Sequence, residues 1–194
     1  SIYLNSLLFT NWMEIVNSLG TDLNPFILLS EKDEEYIPKS FIPDNFNNIF
    51  YKSTRLENVH EDLIKIPAIN GSKVLIIFYN SIGLKQSDII RVFNLIHAEE
   101  MTLVIAKSNR GKVILTCSYE IEKDLINPLF SSNRNFQDYL NFISGKDIFI
   151  HTLEGFFSID DFLVSKRRIS SLIGFNISYC LVIFFSLYPC WFIS

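Results

Sequence analysis

The sequence predicts a three-layer α/β domain, with a central and mostly parallel sheet covered by helices, followed by a hydrophobic C-terminal helix. The first observation behind this is Lys73-Val74-Leu75-Ile76-Ile77-Phe78-Tyr79. It is a nearly continuous β-branched and aromatic run after Asn70-Gly71, as expected of a strand buried on both faces of a sheet. The second is a helix and a strand downstream of that run. Ile89, Ile90, Val92, Phe93 and Ile96 fall mostly on one side of a helix, and Met101 to Ala106 then reads as a further strand. Strand, helix and strand in that order imply a crossover between parallel neighbours. The third is the tail, Ile169 to Ser194, which carries no charged residue and comes directly after Lys166-Arg167-Arg168.

The remaining elements are read in chain order. Leu7, Leu8, Trp12, Ile15, Val16 and Leu19 recur at helical spacing, with Gly20 as a stop. Pro25 to Leu29 is a short apolar strand cut off by the charge cluster Glu31 to Glu35, and Tyr36 to Asn58 reads as a loop. Ser87 is positioned to cap the helix that carries Ile89 to Ile96, and Glu99-Glu100 end it in solvent. Met101 to Ala106 and Lys112 to Cys117 are joined by so short a link that they pair as a hairpin. Glu120 to Phe130 and Asn135 to Ser144 are two helical pieces broken at Pro128 and Ser131-Ser132. Asp147 to His151 is a last short strand or an extended linker. The resulting organisation is a body at 1–150, a linker at 151–168 and the apolar tail at 169–194.

Composition narrows the function classes. Seventeen basic against 21 acidic side chains give a formal net charge of -4, which argues against a dedicated non-specific nucleic-acid surface. Cys117, Cys180 and Cys190 have no spacing suited to a disulfide framework or a zinc site, and no cofactor is expected. His60, His97 and His151 are far apart and are assigned no chemistry. The acidic runs Glu31 to Glu35 and Asp160-Asp161 read as solvated charge, and no enzymatic activity is expected. Lys107, Arg110 and Lys112 fall within six residues between two strands and form a candidate partner surface, with a solvated hairpin turn as the competing reading.

The tail has two readings. A bilayer core of roughly 30 Å needs about 20 mostly apolar residues in a helix, and the tail has that length. Lys166, Arg167 and Arg168 would then be membrane-edge cations holding its start on the cytoplasmic side. Ser170, Ser171, Asn176, Ser178, Ser186 and Pro189 dilute this signal, so a buried C-terminal helix of a soluble domain stays open. Location is expected to be cytoplasmic, either free or anchored by the C-terminus to a cytoplasm-facing membrane. Ser1 to Phe9 shows no signal-peptide pattern.

Several stretches carry a family resemblance. Ile2 to Leu4 as an opening strand, Ser6 to Leu19 as a first helix, Val74 to Tyr79, Gly111 to Leu115 with Glu120 to Leu125, and Tyr139 to Lys146 together resemble the receiver portion of LuxR/FixJ-type response regulators. The resemblance covers Ser1 to Ile150 and implies a role in transcription regulation, through a protein partner or DNA in a regulatory complex. It also implies an atypical, non-phosphorylatable receiver. Phe78-Tyr79-Asn80-Ser81 stands where the phosphoacceptor Asp is expected, and Leu4-Asn5-Ser6 where an acidic pair is expected. Thr116 or Cys117 replaces the Lys of the fifth strand. Arg168 to Ser178 is similar to the start of a helix-turn-helix, but Tyr179 to Ile193 is too apolar for a recognition helix, so the DNA-binding domain is incomplete.

Overall fold

A computed structural model describes residues 2–20, 23–30, 44, 46–51, 61, 63, 71–78, 80–97, 101–120, 122–130, 134–159 and 181–186. The elements run α1 (Ile2–Ser18), β1 (Leu23–Ser30), β2 (Asn47–Tyr51), β3 (Lys73–Phe78), β4 (Ser81–Ile82), α2 (Gln86–Leu95), β5 (Thr102–Ser108) and β6 (Val113–Tyr119). Next come α3 (Lys123–Ile126), a 3-10 turn (Asn127–Phe130), α4 (Phe136–Ile143), β7 (Phe149–Ser158) and β8 (Leu181–Ser186). One sheet takes all eight strands, in the order β2-β1-β8-β3-β6-β5-β7-β4.

The α/β class and the three layers follow from the burial pattern. Leu75, Ile77, Val104 and Ile114 face α1 and α2, which contribute Trp12, Val16, Ile89 and Val92. Val74, Ile76, Phe78, Leu103 and Ile105 face the other way, against Leu125, Leu129, Tyr139 and Ile143 of the helices after β6. Successive residues of β3 therefore alternate between two dry layers, which is why the run is apolar throughout rather than every second residue.

The sheet is mixed, not mostly parallel. β1 with β2 and β5 with β7 are parallel, while the other five pairings are antiparallel. The physical reason is interleaving. β1, β2, β3, β5 and β7 all run in one direction, but β8 enters between β1 and β3, and β6 between β3 and β5, both running backwards. The strand β3, helix α2 and strand β5 do form the expected parallel unit; the return arm of the β5–β6 hairpin splits it.

Other expectations are corrected. Ile2 to Leu4 is not a strand, because α1 begins at Ile2. The segment read as a loop contains β2, added in parallel to β1 with Leu28 opposite Ile49. Ser87 is not the helix cap: the N-cap is Lys85, whose N–H donates to Asp88 Oδ2 at 2.9 Å, so Ser87 already lies in the first turn. Ile90 is 46% exposed, since α2 turns Ile89 and Val92 to the sheet instead. β7 is ten residues long and runs through position 150, so the sheet continues past the expected end of the body. In the tail, Leu181–Ser186 is a strand whose Ile183 pairs with Phe26 on one side and Ile76 on the other. Residues 169–180 and 187–194, and Lys166, Arg167 and Arg168, lie outside the described residues. Among the described residues no helix is long and apolar enough to cross a membrane.

Polar side chains pin the helices at their ends. Lys73 Nζ donates to Phe93 O at 2.8 Å, at the C-terminal turn of α2, where carbonyls lack intrahelical partners. Gln86 Nε2 donates to Ser18 O at 2.7 Å, joining the end of α1 to the start of α2. Asn135 Oδ1 accepts from the N–H groups of Gln137 and Asp138 at 2.9 and 3.1 Å, and caps α4. Tyr139 Oη donates to Leu125 O at 3.0 Å, tying α4 to α3.

Two outcomes test this packing. Phe78→Ala removes a ring that is 1% exposed and should cost about 3–5 kcal/mol in denaturant unfolding, the range for a buried Phe. Ile183→Pro removes a ladder N–H from a strand paired on both sides, so thermal unfolding should occur at a clearly lower temperature; an unchanged midpoint would contradict a central β8.

Candidate functional site

The three cations of the candidate partner surface sit at the β5–β6 hairpin, and the strands hold them differently. Gly111 N–H donates to Ser108 O at 2.9 Å and Ser108 N–H to Lys112 O at 2.8 Å, closing the turn. Gly111 takes φ +74°, a left-handed conformation that glycine adopts without a Cβ penalty. This geometry is a hairpin turn. Asn109 N–H donates to Phe156 O at 3.0 Å and Phe136 N–H to Gly111 O at 2.8 Å, so β7 and the start of α4 clamp the turn from two sides.

Within that frame Lys107 is already engaged. Its Nζ lies 2.8 Å from Glu154 Oε1 of β7 and 5.0 Å from the centroid of the Phe136 ring. Lys112 is half-buried beside Asn135, while Arg110 is exposed at the tip. The three residues are neighbours, but only Arg110 projects fully into solvent. A shallow cleft of about 250 Å³ lies beside them, lined by Lys107, Ser108, Asn109, Gly111, Glu154 and Gly155.

Behind the hairpin, Arg134 is 5% exposed and its guanidinium stacks 4.3 Å from the centroid of Phe78. Its Nη1 donates to Asn80 Oδ1 at 3.4 Å. Ser81 Oγ donates to Phe78 O and also lies 3.1 Å from Ile114 O. Sequence reading missed this cluster, because Arg134 sits in a polar loop with nothing to distinguish it from a solvated charge. Compared with family models, with curated proteins and with solved structures, the chain matches none.

The second feature missed is the sheet end itself. β7 pairs with β5 along one side, and on its other side, among the described residues, only Ser158 and Phe157 are covered, by Ser81 and Ile82. Phe149 is 61% and Ile150 38% exposed, and His151, Thr152 and Glu154 are exposed as well. Met101, whose carbonyl accepts from Phe149 N–H, is 43% exposed. The signal was present as the alternation beyond His151 but was cut short there. Gly155, at φ +93°, accommodates the register shift of β5 against β7 between Ala106 and Ser108.

Elsewhere Cys117 is fully buried in β6, and desolvation pushes its thiol well above the ordinary range. A thiol without thiolate character is inert. Among the described residues no three His, Cys, Asp or Glu side chains are grouped to hold a metal ion. Cys117 should therefore stay unmodified by iodoacetamide in the folded chain and react after unfolding, as read by peptide mass; rapid native labelling would place it outside the core. Lys107→Ala should cost no more than about 1 kcal/mol, the ceiling for an exposed ion pair, in the same unfolding assay.

Proposed function

We propose that this chain is a non-enzymatic regulatory protein that works by binding a protein partner at the β7 end of its sheet. The observation that carries the reading is the edge of β7, exposed from Phe149 to Thr152 on both faces and, among the described residues, along one side of its backbone. Unpaired strand N–H and C=O groups template the addition of another strand, and native proteins usually block them with Lys, Pro or a covering segment. Phe149-Ile150-His151-Thr152-Leu153 has neither Lys nor Pro.

The likeness to response regulators supports a role in transcription regulation, with control by partner binding rather than by phosphotransfer. Phe78, Asn80 and Ser81 at the end of β3 carry no carboxylate, and the Arg134 guanidinium lies over Phe78. The mixed sheet, and a helix where the opening strand would stand, depart from the order which that likeness implies, so the β7 edge and not the likeness carries the reading.

A photo-crosslinking residue at Ile150 in the full chain should give protein adducts, and one at exposed Ile90 of α2 should not. Equal yields at the two positions would remove the basis for the β7 end. Incubation with acetyl phosphate and magnesium, followed by intact mass, should show no added phosphoryl group; acid-labile incorporation would overturn the non-phosphorylatable reading.

A further inference from the structure

The partner at this edge can be specified, on the reading that β7 is a docking strand. We infer that it is a second copy of this chain, joined through antiparallel β7–β7 pairing about a twofold axis at His151.

The backbone sets which groups are offered. Phe149 N–H donates to Met101 O at 2.9 Å, so Phe149 points its peptide groups at β5. Along a strand these groups alternate in direction, and the register with β5 is regular from Phe149 to Leu153. Phe149, His151 and Leu153 thus bond inward, while Ile150 and Thr152 direct N–H and C=O to the open side. In an antiparallel pair, two residues that face each other exchange both bonds. A twofold axis at His151 sets Ile150 opposite Thr152 of the copy, twice by symmetry, and satisfies all the outward groups of this stretch with about four bonds.

Side chains agree with that register. Phe149 comes to lie across from Leu153 on one face; Leu153 is 8% exposed and belongs to its own core layer, so the Phe149 ring covers only the edge of an apolar side chain there. Ile150 meets Thr152 on the other face, and His151 meets itself. Charge does not oppose a like partner. Glu154 is the one carboxylate between Phe149 and Ser158, and Lys107 of the same chain neutralises it at 2.8 Å. Two such edges do not repel each other.

The test uses the full chain, of 22.5 kDa, in sedimentation equilibrium. Wild type should approach twice that mass as concentration rises. Thr152→Pro, which removes one outward N–H from each copy, should weaken the dimer by about tenfold or more, the loss expected for one or two hydrogen bonds, and Ile150→Lys, which brings two cations together across the twofold axis, should weaken it as well. Proline at 152 removes an outward N–H and spares the β5 ladder; should circular dichroism show it unfolded, Ile150→Lys carries the comparison. Ile90→Lys should leave the dimer intact. His151→Cys should form an intermolecular disulfide in oxidised glutathione, located by peptide mass, because facing non-hydrogen-bonded residues place their Cα atoms about 4.5 Å apart. A wild-type chain that stays at single mass at every concentration, or a dimer indifferent to both edge variants, would overturn the inference. If that monomer still crosslinks a different protein through Ile150, the docking edge stands and the second copy does not; without adducts, both fail.

Discussion

Strand β6 is hydrogen-bonded to β3 on one side and to β5 on the other, and both of its faces are buried. No helix could be removed from either layer without exposing part of it. The constraint is that a strand dry on both sides leaves its peptide groups only lateral partners, so its neighbours must follow its register, from which β5 departs between Ala106 and Lys107. Leu75 opposite Cys117 and Ile76 opposite Thr116 hold one side, and Val104 opposite Cys117 and Ile105 opposite Thr116 hold the other. The two apolar layers and the rigid hairpin at the head of β5 and β6 all depend on that central register.

How legible this was depended on whether a signal was local. The runs at Val74 to Phe78 and Leu103 to Ala106 announce themselves through β-branched residues with no polar interruption, and the hairpin follows from a link too short for anything else. Strand direction was likewise readable, because β3, α2 and β5 must return the chain to the same end of the sheet. Adjacency was not. Which strand lies beside β3 is decided by pairings with Thr116 forty positions along the chain and with Ile183 more than a hundred along, and periodicity carries no information about either. The apolar tail is a related case: absence of charge is common to an inner strand and to a membrane helix, and only length and partners separate them.

The site was less legible than the fold. Lys107, Arg110 and Lys112 are close in sequence, which suggested a joint surface, yet Lys107 is held by Glu154 and Phe136 from other elements. Sequence proximity identified the neighbourhood but not the division of labour. Arg134 shows the opposite case, a charge that looks solvated in sequence and is stacked on Phe78 in the fold. The exposed edge was missed because Asp147 to His151 reads equally as a short strand or an extended linker; what distinguishes Phe149 and Ile150 is that β4 is only two residues long and stops short of them.

The position of β8 has a consequence for how the chain is made. In the sheet, β1 and β2 are joined to β3 only through this strand, which is the last in sequence among the described residues. During synthesis the N-terminal pair therefore waits, with one edge open, until residues near 181–186 have left the ribosome, roughly ten seconds or more at about 5–20 residues per second. Contacts so distant in sequence are also slow to close. Over that interval the nascent chain presents Phe26 to Leu28 as an unfinished sheet margin, an apolar edge open to mispairing until its last neighbour arrives.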